Sequence, residues 1–129
     1  LESRVSDREK IASQYGDLLS QIAGVVPAPA PALDQPGDRR SWFTYVVILE
    51  KSEWRSRIRR SLADRRIETG LYFPSLTEFK PYDQAPRGQL SVTESISPKM
   101  LALPFFPDLS SAEVEEVVSS LEEAISLLE

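Results

Sequence analysis

Hydrophobic residues recur with helical spacing along the first 23 positions. Val5, Ala12, Tyr15, Leu19 and Ile22 fall three, four or seven apart, and Ile11 and Leu18 widen the stripe. The pattern predicts an amphipathic helix over 1–23, weakened at Gly16 and stopped at Gly24. Residues 24–41 break the periodicity. Pro27, Pro29 and Pro31 alternate with Ala and Pro36 follows, which predicts an extended connector crossing the surface. A Pro-rich run of this kind is also a ligand for aromatic grooves. The next segment, WFTYVVIL at 42–49, is β-branched, aromatic and almost wholly apolar. It predicts a strand with Phe43, Tyr45, Val47 and Leu49 on one face and Trp42, Thr44, Val46 and Ile48 on the other. A strand apolar on both faces belongs in the middle of a sheet or under cover on both sides.

Ser52 reads as the N-cap of a helix running to about Arg66, with Trp54, Ile58 and Leu62 turned inward. Ile67–Phe73 reads as a second strand, expected beside 42–49 and closed by Pro74, and 75–90 reads as a loop. Ser91-Val92-Thr93-Glu94 has the form of a capping box, predicting a short helix with Ile96 inward and a stop or kink at Pro98. Leu101 to Phe106 is an edge strand or a bend, punctuated by Pro104 and Pro107. Ser110 to Glu113 repeats the capping-box pattern. The last helix follows, with Val114, Val117, Val118, Leu121, Ile125 and Leu128 at helical spacing. The sum is an α+β fold: a small antiparallel or mixed sheet of about three strands packed with about four helices. We expect a single domain over 1–129, in which 1–23 leads in, 24–41 connects and 42–129 holds the sheet and the remaining helices.

Composition narrows the chemistry. The 129 residues include no Cys and no His. That excludes thiolate nucleophiles, Cys-ligated metals, Ser-His-Asp triads and imidazole proton shuttles. No metal site is expected. Acidic residues exceed basic ones by 20 to 15, a net charge of −5, which argues against a nucleic-acid partner. No apolar run approaches the ~20 residues of a membrane span, so no membrane partner is expected. The chain begins at Leu1 and its single Met is Met100, so a processed chain or a piece of a larger protein is expected, in the cytoplasm. The stripe through Val5, Ile11 and Leu18 is wider than one small sheet needs. It is the expected contact face of a homo-oligomer.

Candidate sites are few. Arg55, Arg57, Arg59, Arg60, Arg65 and Arg66 crowd one helix and its exit. Two readings fit them: an anion site built on Arg55, Arg59 and Arg66, since guanidinium forks bind phosphate oxygens, or a solvated helix face. Glu113, Glu115, Glu116, Glu122, Glu123 and Glu129 avoid the apolar stripe of the last helix and read as its wet side. Glycine-rich phosphate loops are absent. Lys10, Lys51, Lys80 and Lys99 lie in polar company, and none has the desolvated setting of an imine-forming Lys. No catalytic residue is assigned.

Three blocks of the chain resemble one family. REKIASQYGDLL at 8–19 is similar to its R-x-x-I-A-x-x-Y-x-x-x-L helix, and IETGLYFPSLTEFKPY at 67–82 to its I-x-T-x-x-Y-F-P-x-L-H-x-x-x-P-Y segment. LSVTESISPKMLALPFFPDL at 90–109 is similar to its L-P-V-T-E segment and the L-x-L-P-x-x-P-x-L run behind it. The chain thus resembles the C-terminal part of the DegT/DnrJ/StrS family of pyridoxal-phosphate-dependent sugar aminotransferases. The resemblance implies the small C-terminal domain of a fold-type I aminotransferase. Its parent would be a dimeric bacterial enzyme that moves an amino group onto a nucleotide-linked keto-sugar. Pyridoxal phosphate would sit in a large domain supplying the catalytic Lys, whose motif these 129 residues lack, so this chain would bind no cofactor and not turn over alone. The resemblance also implies that Tyr72, Phe73, Pro74 and Thr77 lie nearest the substrate. Thr77 stands where the family usually has His, which makes that contact neutral between about pH 5 and 8. Pro98 interrupts a helix that usually runs on. The alternative is a stand-alone dimerisation or ligand-binding module derived from the same family.

Overall fold

The apolar run at 42–49 supplies the middle of the sheet. A computed structural model of the chain describes residues 2–28 and 40–128. In it β1 (Val25–Val26), β2 (Tyr45–Leu49) and β3 (Met100–Leu103) form an antiparallel sheet in the order β1-β2-β3. Val25 faces Leu49 across one side of β2, and Val47 faces Leu101 across the other. The inward alternation of Tyr45, Val47 and Leu49 follows from the pleat, and all three are buried. Upstream of the ladder the alternation fails. Phe43, expected on the face of Tyr45, is exposed, and Trp42, expected on the opposite face, is buried against Tyr45 and Phe105. Residues 42–44 pair with no strand, so the pleat does not set their faces.

Two strand assignments change. β1 lies at the start of the expected connector, which from 29 to 39 falls outside the described residues. Its pairing is extended by the Glu50 N–H donating to the Gly24 carbonyl at 2.8 Å. Gly24 has φ +80°, and a Cβ there would lie 2.6 Å from the Trp54 ring, so glycine alone fits this turn. With β1 and β3 on its two sides, β2 has no edge left for 67–73. That segment lies instead beyond β3, joined to it by one bridge in which Gly70 and Ala102 exchange N–H···O bonds of 3.0 and 2.9 Å.

The helices are α1 (Glu2–Leu19), α2 (Trp54–Asp64), α3 (Ser91–Ile96) and α4 (Ser111–Ser126). α1 ends before Gly24, and turns fill the interval. Ser52 does not cap α2. Its hydroxyl lies 3.3 Å from Glu53 Oε2, and Glu53 precedes the helix without a side-chain cap bond. α2 closes with the Arg66 N–H on the Ala63 carbonyl and the Ile67 N–H on the Leu62 carbonyl, both 2.9 Å. This paired closure requires a left-handed residue, here Arg66 at φ 62°. Ser91 does not cap α3 either, because Leu90 holds that position. Pro98 sits in a 3-10 turn, Ser97–Lys99, that ends α3, where Ile96 is half-buried. α4 forms the full capping box between Ser110 and Glu113.

One core joins these layers. Ile11, Tyr15 and Leu19 of α1, Ile58 and Leu62 of α2, and Val114, Leu121 and Ile125 of α4 pack on the inner face of the sheet. α4 packs against both α1 and α2. Arg65 ties the end of α2 to α4, 2.7 Å from Glu123 and 3.4 Å from the Ser120 hydroxyl. Of the α1 stripe expected to face a partner, Ile11 is buried in this core and Val5 and Leu18 are half-buried. The apolar surface left exposed lies elsewhere.

Candidate functional site

The strand-exit segment leaves the sheet immediately after Gly70. A Cβ at that position would lie 2.5 Å from the Tyr72 ring, so glycine lets Tyr72 fold back over the chain. Tyr72, Phe73 and Pro74 are exposed. The Phe73 ring lies 5.6 Å from Tyr72 and 6.5 Å from Phe43, nearly parallel to the latter at 10°. Two 3-10 turns follow, Leu76–Glu78 and Lys80–Tyr82. The Ser75 hydroxyl accepts from the Thr77 N–H at 3.4 Å and lies 2.8 Å from the Thr77 hydroxyl. Thr77 is half-buried in the loop rather than packed in the core. Two hydroxyls that share one hydrogen bond leave one O–H free to donate.

A polar brace holds this loop against the domain. The Ser97 hydroxyl donates to Glu78 Oε1 at 3.2 Å, and Arg55 Nη1 donates to the Ser97 carbonyl at 2.8 Å. A cavity of about 60 Å³ lies among Arg55, Phe73, Pro74, Glu78 and Ser97. On the other side of Tyr72 a groove of about 750 Å³ runs between the 65–70 segment, the chain leaving β3 and the start of α4. Phe43, Phe106 and Leu109 give it an apolar lining, and Arg66, Glu68 and Glu116 put charges around it.

The structure brings Tyr72, Phe73, Pro74 and Thr77 onto one loop. It does not gather the three candidate arginines. Arg55 borders the small cavity with one N–H committed to Ser97, Arg66 borders the groove, and Arg59 borders neither, its Nε 3.4 Å from the Thr69 hydroxyl. Sequence reasoning missed Phe43, which the strand pattern placed on one face with Tyr45, and the Glu78–Ser97 brace, whose partners are 19 residues apart with no motif to connect them.

Among the described residues three groups are shifted, two tyrosines in the core and Glu113 at the edge of the groove. Burial raises the Tyr15 hydroxyl well above its usual range, with Tyr45 and Glu113 adding to the effect. Burial also pushes Tyr45 up to about 12 against the opposing pull of Arg40. The Ser110 hydroxyl and N–H hold Glu113 below its ordinary value. The described residues contain no cluster of three or more acidic side chains placed to hold a metal ion. None of the four lysines borders either cavity. Lys10 lies 3.9 Å from Asp7, Lys51 lies over the Trp54 ring, and Lys80 is exposed. These residues do not form a seat for pyridoxal phosphate, which needs an imine-forming Lys beside a phosphate cradle.

The profile of the DegT/DnrJ/EryC1/StrS aminotransferase family matches residues 1–122. The chain belongs to this family. Solved structures of family members share its fold. The aminotransferase TlmJ from Streptoalloteichus hindustanus is 28% identical, with a TM-score of 0.81 over 96% of this chain and 32% of its own. DesV from S. venezuelae, solved in complex with a ketimine intermediate, is 26% identical, with a TM-score of 0.77 over 92% of this chain and 31% of its own. A DegT/DnrJ/EryC1/StrS aminotransferase from Brucella abortus has the same fold at 24% identity, with a TM-score of 0.75 over 92% and 30%. The chain spans about a third of the length of these relatives. No helix among the described residues is long and apolar enough to cross a membrane.

Proposed function

We propose that the chain serves as the small C-terminal domain of a pyridoxal-phosphate-dependent aminotransferase acting on nucleotide-linked keto-sugars, and that it is not catalytic alone. The family match over 1–122 carries the reading. The complex of DesV with a ketimine intermediate supports the chemistry, and DesI, a neighbour that shares the fold, was solved in the presence of its TDP-sugar product. In this reading the cofactor is held by a separate large domain, in a cytoplasmic, dimeric enzyme, and the chain's span of about a third of its relatives supports the separate domain. Within this chain the loop does the work. Phe73 offers an apolar wall and Tyr72 a phenolic hydroxyl. The Ser75–Thr77 pair offers one neutral O–H, held in place by the first 3-10 turn.

The test is Thr77→Val in the enzyme assembled with its large domain. The expected result is a KM for the sugar nucleotide raised about fivefold, the equivalent of one neutral hydrogen bond of ~1 kcal/mol, with the melting temperature unchanged. An unchanged KM with a lowered melting temperature would make Thr77 a structural residue of the turn and remove it from the site.

A further inference from the structure

We propose that Ser97 is a positioning residue for the strand-exit loop: through Glu78 it fixes the 3-10 turn Leu76–Glu78, and with it the Thr77 hydroxyl, against the rest of the domain. This role rests on the reading above, in which Thr77 meets the sugar nucleotide. Ser97 opens the 3-10 turn between α3 and β3, and it is one of two buried polar side chains among the described residues. Its carbonyl is anchored twice. Arg55 Nη1 of α2 donates to it at 2.8 Å, and so does the N–H of Met100, the first residue of β3. The Ser97 hydroxyl is thereby aimed from the body of the domain at Glu78 Oε1, 3.2 Å away. A hydrogen bond to a carboxylate is about twice as strong as one between neutral groups.

Little else holds this part of the chain. Among the described residues, the stretch 71–89 makes no other hydrogen bond to the rest of the domain. Its apolar ties lie at its start, where Leu71 packs on the core and the Phe73 ring faces Phe43. Leu76 and Phe79, on either side of Thr77 and Glu78, are exposed. The cavity of about 60 Å³ bordered by Phe73, Pro74, Glu78 and Ser97 leaves the turn room to move. A bond, and not close packing, therefore sets where the turn sits. Thr77 and Glu78 are adjacent in that turn. The Glu78 N–H donates to the Ser75 carbonyl at 3.0 Å and the Phe79 N–H to the Leu76 carbonyl at 3.2 Å. Holding Glu78 thus holds the Ser75–Thr77 hydroxyl pair.

The test uses the enzyme assembled with its large domain. Ser97→Ala is expected to speed amide hydrogen exchange at Glu78 and Phe79 about tenfold, the scale of one lost hydrogen bond to a carboxylate. It is expected to raise KM for a TDP-linked keto-sugar about threefold and to leave kcat within about twofold. Should Ser97→Ala not fold, Glu78→Ala removes the same bond from an exposed position. Glu78→Gln keeps an acceptor at the same reach and is expected to recover KM to within about twofold. In a Thr77→Val background Ser97→Ala is expected to raise KM by less than about 1.5-fold, because the two residues act through one contact. Exchange at Glu78 and Phe79 unchanged by Ser97→Ala and by Glu78→Ala overturns the proposal. So does faster exchange with an unchanged KM where Thr77→Val alone raises it, an outcome that leaves the substrate reading standing. A Ser97→Ala effect on KM that is undiminished by Thr77→Val also overturns it. If Thr77→Val leaves KM unchanged, the positioning role falls together with the substrate reading, and faster exchange in Ser97→Ala then shows that the brace is sound and the reading is at fault.

Discussion

Tyr15 and Tyr45 stack 4.9 Å apart in the core and differ by one hydrogen bond. The Tyr15 hydroxyl donates to the Pro104 carbonyl at 2.8 Å, whereas the Tyr45 hydroxyl is buried with no hydrogen-bond partner. Tyr15→Phe should therefore cost about 1 kcal/mol of stability, and Tyr45→Phe should be neutral or slightly stabilising, measured by urea unfolding. Both hydroxyls ionise less readily folded than unfolded, and for both the first cause is burial. An unfolded chain releases these protons from about pH 10. The stability they contribute is therefore fully present below pH 10 and is lost as pH rises toward the folded values. The melting temperature should fall above about pH 10, and removing both hydroxyls should flatten that limb. Helical spacing placed Tyr15 in the core and strand alternation placed Tyr45 there. The bond to Pro104 links positions 89 residues apart, and no local pattern encodes it. Phe43 was misplaced for the opposite reason: local alternation was extended past the residues that the ladder actually holds.

At the scale of elements, two identical signatures had different outcomes. Ser-x-x-Glu occurs at 91–94 and at 110–113, and only the second forms a capping box. Ser110 is extended, at φ −76° and ψ 157°, so its hydroxyl and its N–H both meet Glu113. Ser91 already lies inside the first turn, since the Glu94 N–H bonds to the Leu90 carbonyl. The motif names compatible residues and does not say where the backbone turns helical. Ser110→Ala should cost about 1 kcal/mol and Ser91→Ala under ~0.5 kcal/mol, read from thermal or chemical unfolding. The cap has an acid limit too. Glu113 ionises below its ordinary value of 4.5 when folded, so its contribution is present above that pH and is lost as pH falls through the folded value. Acidification from about pH 5 to 3 should therefore destabilise the wild type more than Ser110→Ala. The strand at 67–73 shows the same limit of local information. Its composition suits a sheet, but its place was decided by β1, two residues that belonged by composition to a proline-rich connector.

Across the whole molecule, the first helix packs on the last. α1 contacts α4, and β2 finds β3 only after the chain has passed through α2, the exposed loop and α3. A chain ending at Leu109 would contain the complete sheet and lack the helix that packs against α1 and α2. It should show no cooperative melting and no native near-ultraviolet dichroism. That closure also sets a timetable. The ribosome adds about 5–20 residues per second. Roughly a hundred residues separate the end of α1 from the end of α4. Ile11, Tyr15 and Leu19 therefore leave the exit tunnel roughly 5–20 s before their cover exists. During synthesis this small domain is a client for chaperones at its amino end, and ribosome profiling of chaperone-bound nascent chains should find the first helix held until the last has emerged.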